Sequence, residues 1–246
     1  MNMTCGWVEG SLNLLLFCND DRLDANKIVI QGRRLEHLQK VHRAHAGDTL
    51  RVGEIGGLTG EGKLLNITAD RATLAISLQH SPPEKLPLRL IVALPRPKML
   101  RRILRTVAEI GVAELHLINS YRVEKSYWQS PVLNSGTMRE LLLQGLEQSR
   151  DTILPLVHCH PRFKPFVEDT LPALITGERA LLAHPGNTPP CPRHIEKQTT
   201  LIVGPEGGFI PYEVTSLSNA GCEVVSLGPR ILRVENAINY LIGRLF

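Results

Sequence analysis

The chain has 246 residues, 43% of them apolar and 21% charged, with a formal net charge of +4. These proportions belong to an ordinary folded protein of one or two domains and exclude a disordered or collagen-like chain. Aromatic residues make up only 4%, so the core is expected to be built from Leu, Ile, Val and Ala, and exposed stacking platforms are scarce.

No apolar run approaches the roughly 20 residues that span a bilayer. The nearest, Leu12 to Cys18, is seven residues long, so no membrane partner is expected. Met1 to Gly10 has no basic stretch and carries Glu9, which argues against a cleavable secretory signal and for a cytoplasmic protein. The five cysteines are scattered and form no Cys-x-x-Cys, so reduced thiols are expected rather than disulfides or a zinc ribbon.

In the first third, β-like runs at Leu12–Phe17, Thr49–Val52, Lys63–Ile67 and Ala72–Leu78 are punctuated by Gly53, Gly56, Gly57, Gly60 and Gly62. That pattern predicts a small β-barrel. One helix, about Arg34 to Arg43, would bury Leu35, Leu38 and Val41 and place Arg33, His37 and Lys40 on another face. This second face is either a phosphate-contacting stripe or a solvated surface. The proline-rich stretch Ser81–Pro87 resists helix and sheet. The predicted division is a barrel domain over 1–82, a linker over 83–87 and a second domain over 88–246.

Beyond the linker, strand and helix alternate. Strands are predicted at Leu88–Leu94, Glu114–Asn119, Leu154–Cys159, Arg179–Ala183, Thr199–Val203 and Cys222–Leu227, with helices near Lys98–Ile110, Met138–Ser149, Phe166–Ile175, Tyr212–Asn219 and from Glu235 onward. Apolar runs with little alternation are strands covered on both faces, so a largely parallel α/β sheet is expected. The charge is uneven: residues 1–86 carry ten basic and ten acidic side chains, residues 87–150 ten and five, and residues 151–246 eight and nine. In the helix Lys98–Ile110, Lys98, Arg101, Arg102 and Arg105 recur at helical spacing opposite the apolar face and follow Arg96. Four charges of one sign on one face favour an anionic polymer, with an ordinary solvated face as the alternative.

Two segments carry chemistry. Leu201-Ile202-Val203-Gly204-Pro205-Glu206-Gly207-Gly208 is a buried strand running into a glycine-rich turn, and Val224 to Ala237 is a strand ending in Gly228-Pro229, followed by Arg230, Arg233 and Glu235 before a helix. Ligands in open α/β sheets sit beyond the carboxyl ends of strands, where glycines allow a close backbone approach. Neither turn has the spacing of a dinucleotide fingerprint or of a phosphate loop, so both readings lose their support.

These two segments resemble the signature of the ribosomal RNA small-subunit methyltransferase E family, in the SPOUT superfamily. Ala108-Glu109-Ile110-Gly111-Val112, Ser120-Tyr121-Arg122, Glu147-Gln148-Ser149-Arg150 and, near the beginning, His37–Arg43 with Gly47-Asp48 are similar to further segments of that family. The chain departs from the family pattern at Thr106, where a lysine is usual, at Val234-Glu235-Asn236, and in lacking an arginine-rich opening.

The resemblance implies S-adenosylmethionine as methyl donor and N3 of a uridine in small-subunit ribosomal RNA, free or in the assembled subunit, as acceptor. It also implies a homodimer, a deep trefoil knot and a PUA-like first domain. By the same analogy Leu182, Gly204, Gly208, Leu227, Gly228, Ile231 and Leu232 would hold the cofactor. Arg233 would stabilise charge on the uracil, with Glu235 or Glu206 accepting its proton; alternatively Glu235 caps the last helix and Arg233 pairs with it. Arg33, Lys40, Arg101, Arg102, Arg105 and Arg122 are the candidates for RNA contact, although Arg122 could instead pair with Glu124. Two other readings stay open: a SPOUT enzyme with another target, and a ribosome-binding factor with reduced catalysis.

His158-Cys159-His160 and Cys191-Pro192-Arg193-His194, with His184 near the second, contain metal-ligating types. Neither has a familiar zinc spacing, so no metal site is expected, although strand alternation would turn His158 and His160 to one face.

Overall fold

The computed structural model describes residues 13–40 and 42–246. They form two compact units: the chain up to Pro83 together with Leu143–Leu154, and Glu84–Leu142 together with Pro155–Phe246. No helix among the described residues is long and apolar enough to cross a membrane.

The first unit is built on β1 (Leu15–Phe17), β2 (Arg22–Asp24), β3 (Lys27–Ile30), α1 (Gly32–Lys40), β4 (Thr49–Glu54), β5 (Thr59–Ile67) and β6 (Ala72–His80). Its six-stranded sheet runs β1-β4-β5-β6-β3-β2, antiparallel except for the β1–β4 pair. Alternate residues point inward, so Phe17, Ile28, Ile30, Val52, Leu64 and Leu74 join Leu35 and Leu38 of α1 in one core. Val41, expected on that helix face, lies outside the described residues.

Strands β2 and β3 are additions to the sequence reading. Gly60 and Gly62, taken there as punctuation, lie inside β5. A Cβ on Gly60 would collide with the Ser77 carbonyl oxygen of β6, so glycine is required by close strand approach rather than by a turn.

Asp21 anchors the entry to this unit. Its carboxylate accepts hydrogen bonds from Arg34 at 2.6 and 2.7 Å and from the Cys18 backbone N–H at 2.8 Å. Burial opposes its ionisation, but these donors outweigh it and hold the carboxyl below its ordinary 3.8. A carboxylate with a lowered folded pKa stabilises above its unfolded value and loses that contribution as pH falls below it. Asp21→Asn is therefore expected to cost about 1.5–3 kcal/mol at pH 7, and urea titrations should show the gap from wild type closing as pH drops below 3.8.

The second unit comprises β7 (Leu86–Ala93), α2 (Pro97–Ile110), β8 (Val112–Ile118), the first part of α3 (Ser135–Ser149), β9 (Leu156–His160), α4 (Phe163–Pro165), a π-helical turn (Phe166–Thr170), α5 (Leu171–Ile175), β10 (Arg179–Ala183), β11 (Thr199–Val203), α6 (Pro211–Asn219), β12 (Glu223–Val225) and α7 (Val234–Leu245). Six strands form one sheet in the order β12-β10-β11-β7-β8-β9, every pair parallel. Helices cover the buried apolar strands. Leu100, Ile103, Leu104 and Val107 of α2 and Ile238, Leu241, Ile242 and Leu245 of α7 are all buried, as an apolar stripe at helical spacing requires.

Two of the boundaries that differ from the sequence reading, and the strand order, have physical reasons. Strand β7 begins at Leu86 and so absorbs Pro87, which lacks a donor; the ladder to β8 shifts register between Leu86 and Arg89 to accommodate it. The helix expected from Phe166 starts at Phe163, and its π turn ends just before Pro172, whose missing N–H cannot complete an ordinary helical bond. The last two strand-ending loops leave strands that are not neighbours: β10 lies between β11 and β12.

One face of the sheet carries a polar seam. Arg89 donates to Glu114 at 2.8 Å and to Glu178 at 2.7 Å. His116, buried, sits beside Glu114, and Phe166 tilts against His116 and His160. Burial pushes the His116 pKa down to about 4, so its imidazole is neutral at physiological pH.

Candidate active site

The loops leaving the carboxyl ends of β10, β11 and β12 enclose a cleft of about 670 Å³, mouth included. That is enough for a cofactor-sized molecule. Its wall comes from Ala183–Pro185, from 203–206 with Gly208 and Phe209, and from Val225, Leu227, Gly228, Arg230–Leu232, Val234 and Ala237. Gly208 and Gly228 have φ of +71° and +100°, conformations that side chains resist, and each stands where the chain must turn back over the cleft. The Gly208 N–H donates to the Pro205 carbonyl at 2.7 Å, and the Gly228 N–H to Ser226 Oγ at 3.0 Å. Both turns are thus closed internally, and both line the cleft.

The cleft is apolar over much of its wall and polar at selected points. Ile231 is 75% exposed and Leu232 37%, an arrangement suited to covering a flat apolar ring and costly to leave in water. Glu206 is the carboxylate among the lining residues and Arg230 the guanidinium. His184, also on the wall, is held below the ordinary histidine range by burial and then by the charge of Arg122.

Two further loops, after β7 and after β8, converge on the Gly204–Phe209 turn. Glu206 Oε1 accepts from the Arg96 backbone N–H at 3.3 Å. The Arg122 guanidinium donates to the Gly207 carbonyl oxygen. Glu213, 2% exposed, accepts from the backbone N–H of Tyr121 at 2.7 Å and of Ile210 at 3.0 Å. A single buried carboxylate thereby ties the loop after β8 to the loop before α6.

The structure brings together Gly204, Gly208, Leu227, Gly228, Ile231, Leu232 and Glu206. Leu182 is fully buried in β10 and does not line the cleft; Ala183 and His184, one and two residues on, do. Arg233 and Glu235 do not line it either, although Arg233 is flanked by two residues that do. Arg233 occupies the N-cap of α7 without a side-chain cap bond, and no ion pair joins it to Glu235. Arg122 bonds Gly207 rather than Glu124, whose carboxylate accepts from Tyr127.

Arg33 pairs with Glu147 at 2.9 Å and Lys40 with Glu36 at 3.2 Å. Arg101 and Arg102 are exposed on α2, while Arg105 is half-buried and engaged. Ala183, Pro185, Phe209 and Glu213 were missed in the sequence. The strand end at Ala183 was legible, but its place between the two glycine loops was not.

An all-parallel sheet whose ligand cleft sits over the carboxyl ends of three strands defines an α/β domain of the enzyme kind. Residues 82–245 match the family model described as RNA methyltransferase domain, and the chain belongs to that family. It is 27% identical over 238 residues to the Ribosomal RNA small subunit methyltransferase E of Treponema pallidum, covering 92% of this chain and 87% of that one. To the protein of the same name from Synechocystis it is 27% identical over 220 residues, covering 85% and 69%. Among solved structures, a Ribosomal RNA small subunit methyltransferase E of Neisseria gonorrhoeae bound to S-adenosyl methionine aligns with a TM-score of 0.74 at 19% identity, over 93% of this chain and 95% of that one. A protein of Legionella pneumophila solved in complex with the cofactor SAM aligns with a TM-score of 0.75 at 20% identity, over 94% and 96%.

Proposed function

We propose that this protein transfers a methyl group from S-adenosylmethionine to N3 of a specific uridine in small-subunit ribosomal RNA. The observation that carries the reading is the cleft itself: two glycine turns with internally closed hydrogen bonds, an exposed Ile231–Leu232 wall and one carboxylate. Those features fit the cofactor. Gly204, Gly208 and Gly228 would hold it through their backbone, Ile231 and Leu232 would give it apolar cover, and Glu206 would balance its positive charge. When bound, the cofactor supplies an electrophilic methyl group.

The chain's own residues then have two tasks. The uracil N3–H is weakly acidic and must lose its proton before attack, for which Glu206 is the acceptor on the wall and Glu235 the alternative from α7. Negative charge developing on the uracil oxygens requires a cation, the role given to Arg233. Arg122, fixed against Gly207, holds the RNA near the turn. The base must be reached at its Watson–Crick edge, so the target is single-stranded or extruded.

The same reading includes a cytoplasmic homodimer, a PUA-like domain over 1–82, a linker over 83–87 and a SPOUT domain over 88–246 with a deep trefoil knot. The knot is supported by the hydrogen bonds that tie residues 184–198 to later parts of the chain. Cys191 N–H donates to the Ser226 carbonyl at 2.9 Å, Ile195 N–H to the Leu245 carbonyl at 2.7 Å, and Arg244 Nε to the Cys191 carbonyl at 2.6 Å.

The test is transfer from labelled S-adenosylmethionine to small subunits lacking the modification, with mass-spectrometric identification of the product nucleoside. N3-methyluridine is expected. Another methylated nucleoside overturns the target, and cofactor binding without transfer to any subunit preparation overturns the reaction in favour of a binding factor.

The exposed Arg101 and Arg102 give a separate prediction. Reversing both to Glu should weaken RNA binding and reduce the slope of log affinity against log salt by about 2, one phosphate contact for each arginine. Filter binding at several salt concentrations measures it; an unchanged slope removes α2 from the RNA surface.

A further inference from the structure

We propose that Glu114, His116 and His158 form a zinc-binding site on the polar face of the sheet, on strands that do not contribute to the methyl-transfer cleft. Parallel pairing of β8 with β9 sets His116 opposite His158 and places Glu114 two residues before His116 on the same face. Glu114 Oε1 lies 2.9 Å from His116 Nε2 and 3.4 Å from His158 Nε2. All three donor atoms lie within 4.8 Å of one another. Ligands held at 2.0–2.2 Å around a tetrahedral zinc stand about 3.3 Å apart, so one ion satisfies this spacing with little movement. The contact from His158 is longer than a good hydrogen bond and suits a shared ion better than a shared proton.

The surroundings are those of a ligand set held in place. Glu114 Oε2, the oxygen turned away, accepts from Arg89 at 2.8 Å. His116 Nδ1, the nitrogen turned away, lies 2.9 Å from His160 Nε2 with the two rings within 11° of parallel, and the His116 ring stacks on His158 at 4.7 Å. Outer contacts of this kind fix ring orientation in metal sites. His116 is buried, whereas the His158 side chain is 45% exposed, which supplies an entry path and leaves the fourth position to water. The two imidazoles are borderline donors, and beside one carboxylate they suit zinc above magnesium or calcium. The spacing of His158 and His160 alone does not reveal the site, because two of its ligands come from a strand about 40 residues earlier.

The full-length chain without a histidine tag, stripped with chelator, is titrated with zinc against a chromophoric competitor and, separately, with cobalt. The expected result is one equivalent per chain, with visible cobalt bands. His158→Ala, at an exposed position, should keep the circular dichroism spectrum and weaken binding at least about tenfold. Glu114→Gln gives a second reading that retains side-chain volume. Absence of stoichiometric uptake by the wild type overturns the site, as does uptake undiminished in both variants. Methyl transfer plays no part in these readouts, so the result stands apart from the proposed reaction.

Discussion

Replacing Arg233 with Ala is expected to lower the single-turnover rate of methyl transfer by about 10²- to 10³-fold, the range for removing one preorganised stabiliser of developing charge. Affinity for S-adenosylmethionine should stay at the wild-type level. The two halves of this expectation have separate structural origins. Arg233 is absent from the cleft wall, whereas its neighbours Leu232 and Val234 belong to it, so losing the guanidinium removes no cofactor contact. Arg233 also makes no side-chain cap on α7 and no ion pair with Glu235, so its removal leaves no buried partner unsatisfied. A loss of rate without a loss of stability or cofactor affinity would put the guanidinium on the uracil. Equal rates for Arg233→Ala and wild type under single-turnover conditions would take it out of the reaction and leave charge stabilisation to Arg230, which does line the cleft. Isothermal titration with the cofactor and rapid-quench kinetics on the same preparations separate these results.

Where local composition decides structure, the sequence was readable. The apolar stretches Leu201–Val203 and Ala180–Ala183 lie in strands with the predicted bounds, Thr199–Val203 and Arg179–Ala183, because the interior of a strand covered on both faces has no room for polar alternation. The glycine turns after β11 and β12 were legible as turns for a related reason: glycine at positive φ and proline leave few alternatives. What could not be read is what the chain does at a distance. The insertion of β10 between β11 and β12 is a matter of strand order, and it brings His184 and Pro185 onto the cleft wall. Lys27–Ile30 is too short to announce itself, yet Ile28 and Ile30 are fully buried once β6 pairs beside them. Arg33 read as part of a basic stripe because helical periodicity says nothing of Glu147, which lies over a hundred residues along the chain, whereas the Glu36 partner of Lys40 stands one helical turn away and was open to that reading. His116 went unremarked for the same reason: only the β8–β9 register places it against His158.

The second large effect concerns Glu213, a residue with no apparent signal in the sequence beyond its place in the first turn of a helix. Its carboxylate is buried and accepts the N–H groups of Tyr121 and Ile210. Glu213→Ala would remove both acceptors at once and leave two donors beside a small void. At about 1–3 kcal/mol for each buried donor left unpaired, the expected loss is about 2–5 kcal/mol. In a chain of this size each kcal/mol moves a melting temperature by roughly 2–4 °C, so calorimetry should register a fall on the order of 10 °C in the unit that contains α6. Glu213→Gln keeps one oxygen as an acceptor but turns an amide donor towards the other N–H, and should fall between the two. The functional consequence comes from the loops that the carboxylate joins: Tyr121 precedes Arg122, which bonds Gly207, and Ile210 adjoins Phe209 on the cleft wall. Loosening this tie should therefore weaken cofactor and RNA binding together, whereas Arg233→Ala separates cofactor binding from the chemical step. A Glu213→Ala protein with an unchanged melting temperature would mean that water replaces the carboxylate, and that the two loops are held by Arg122 and Gly207 alone.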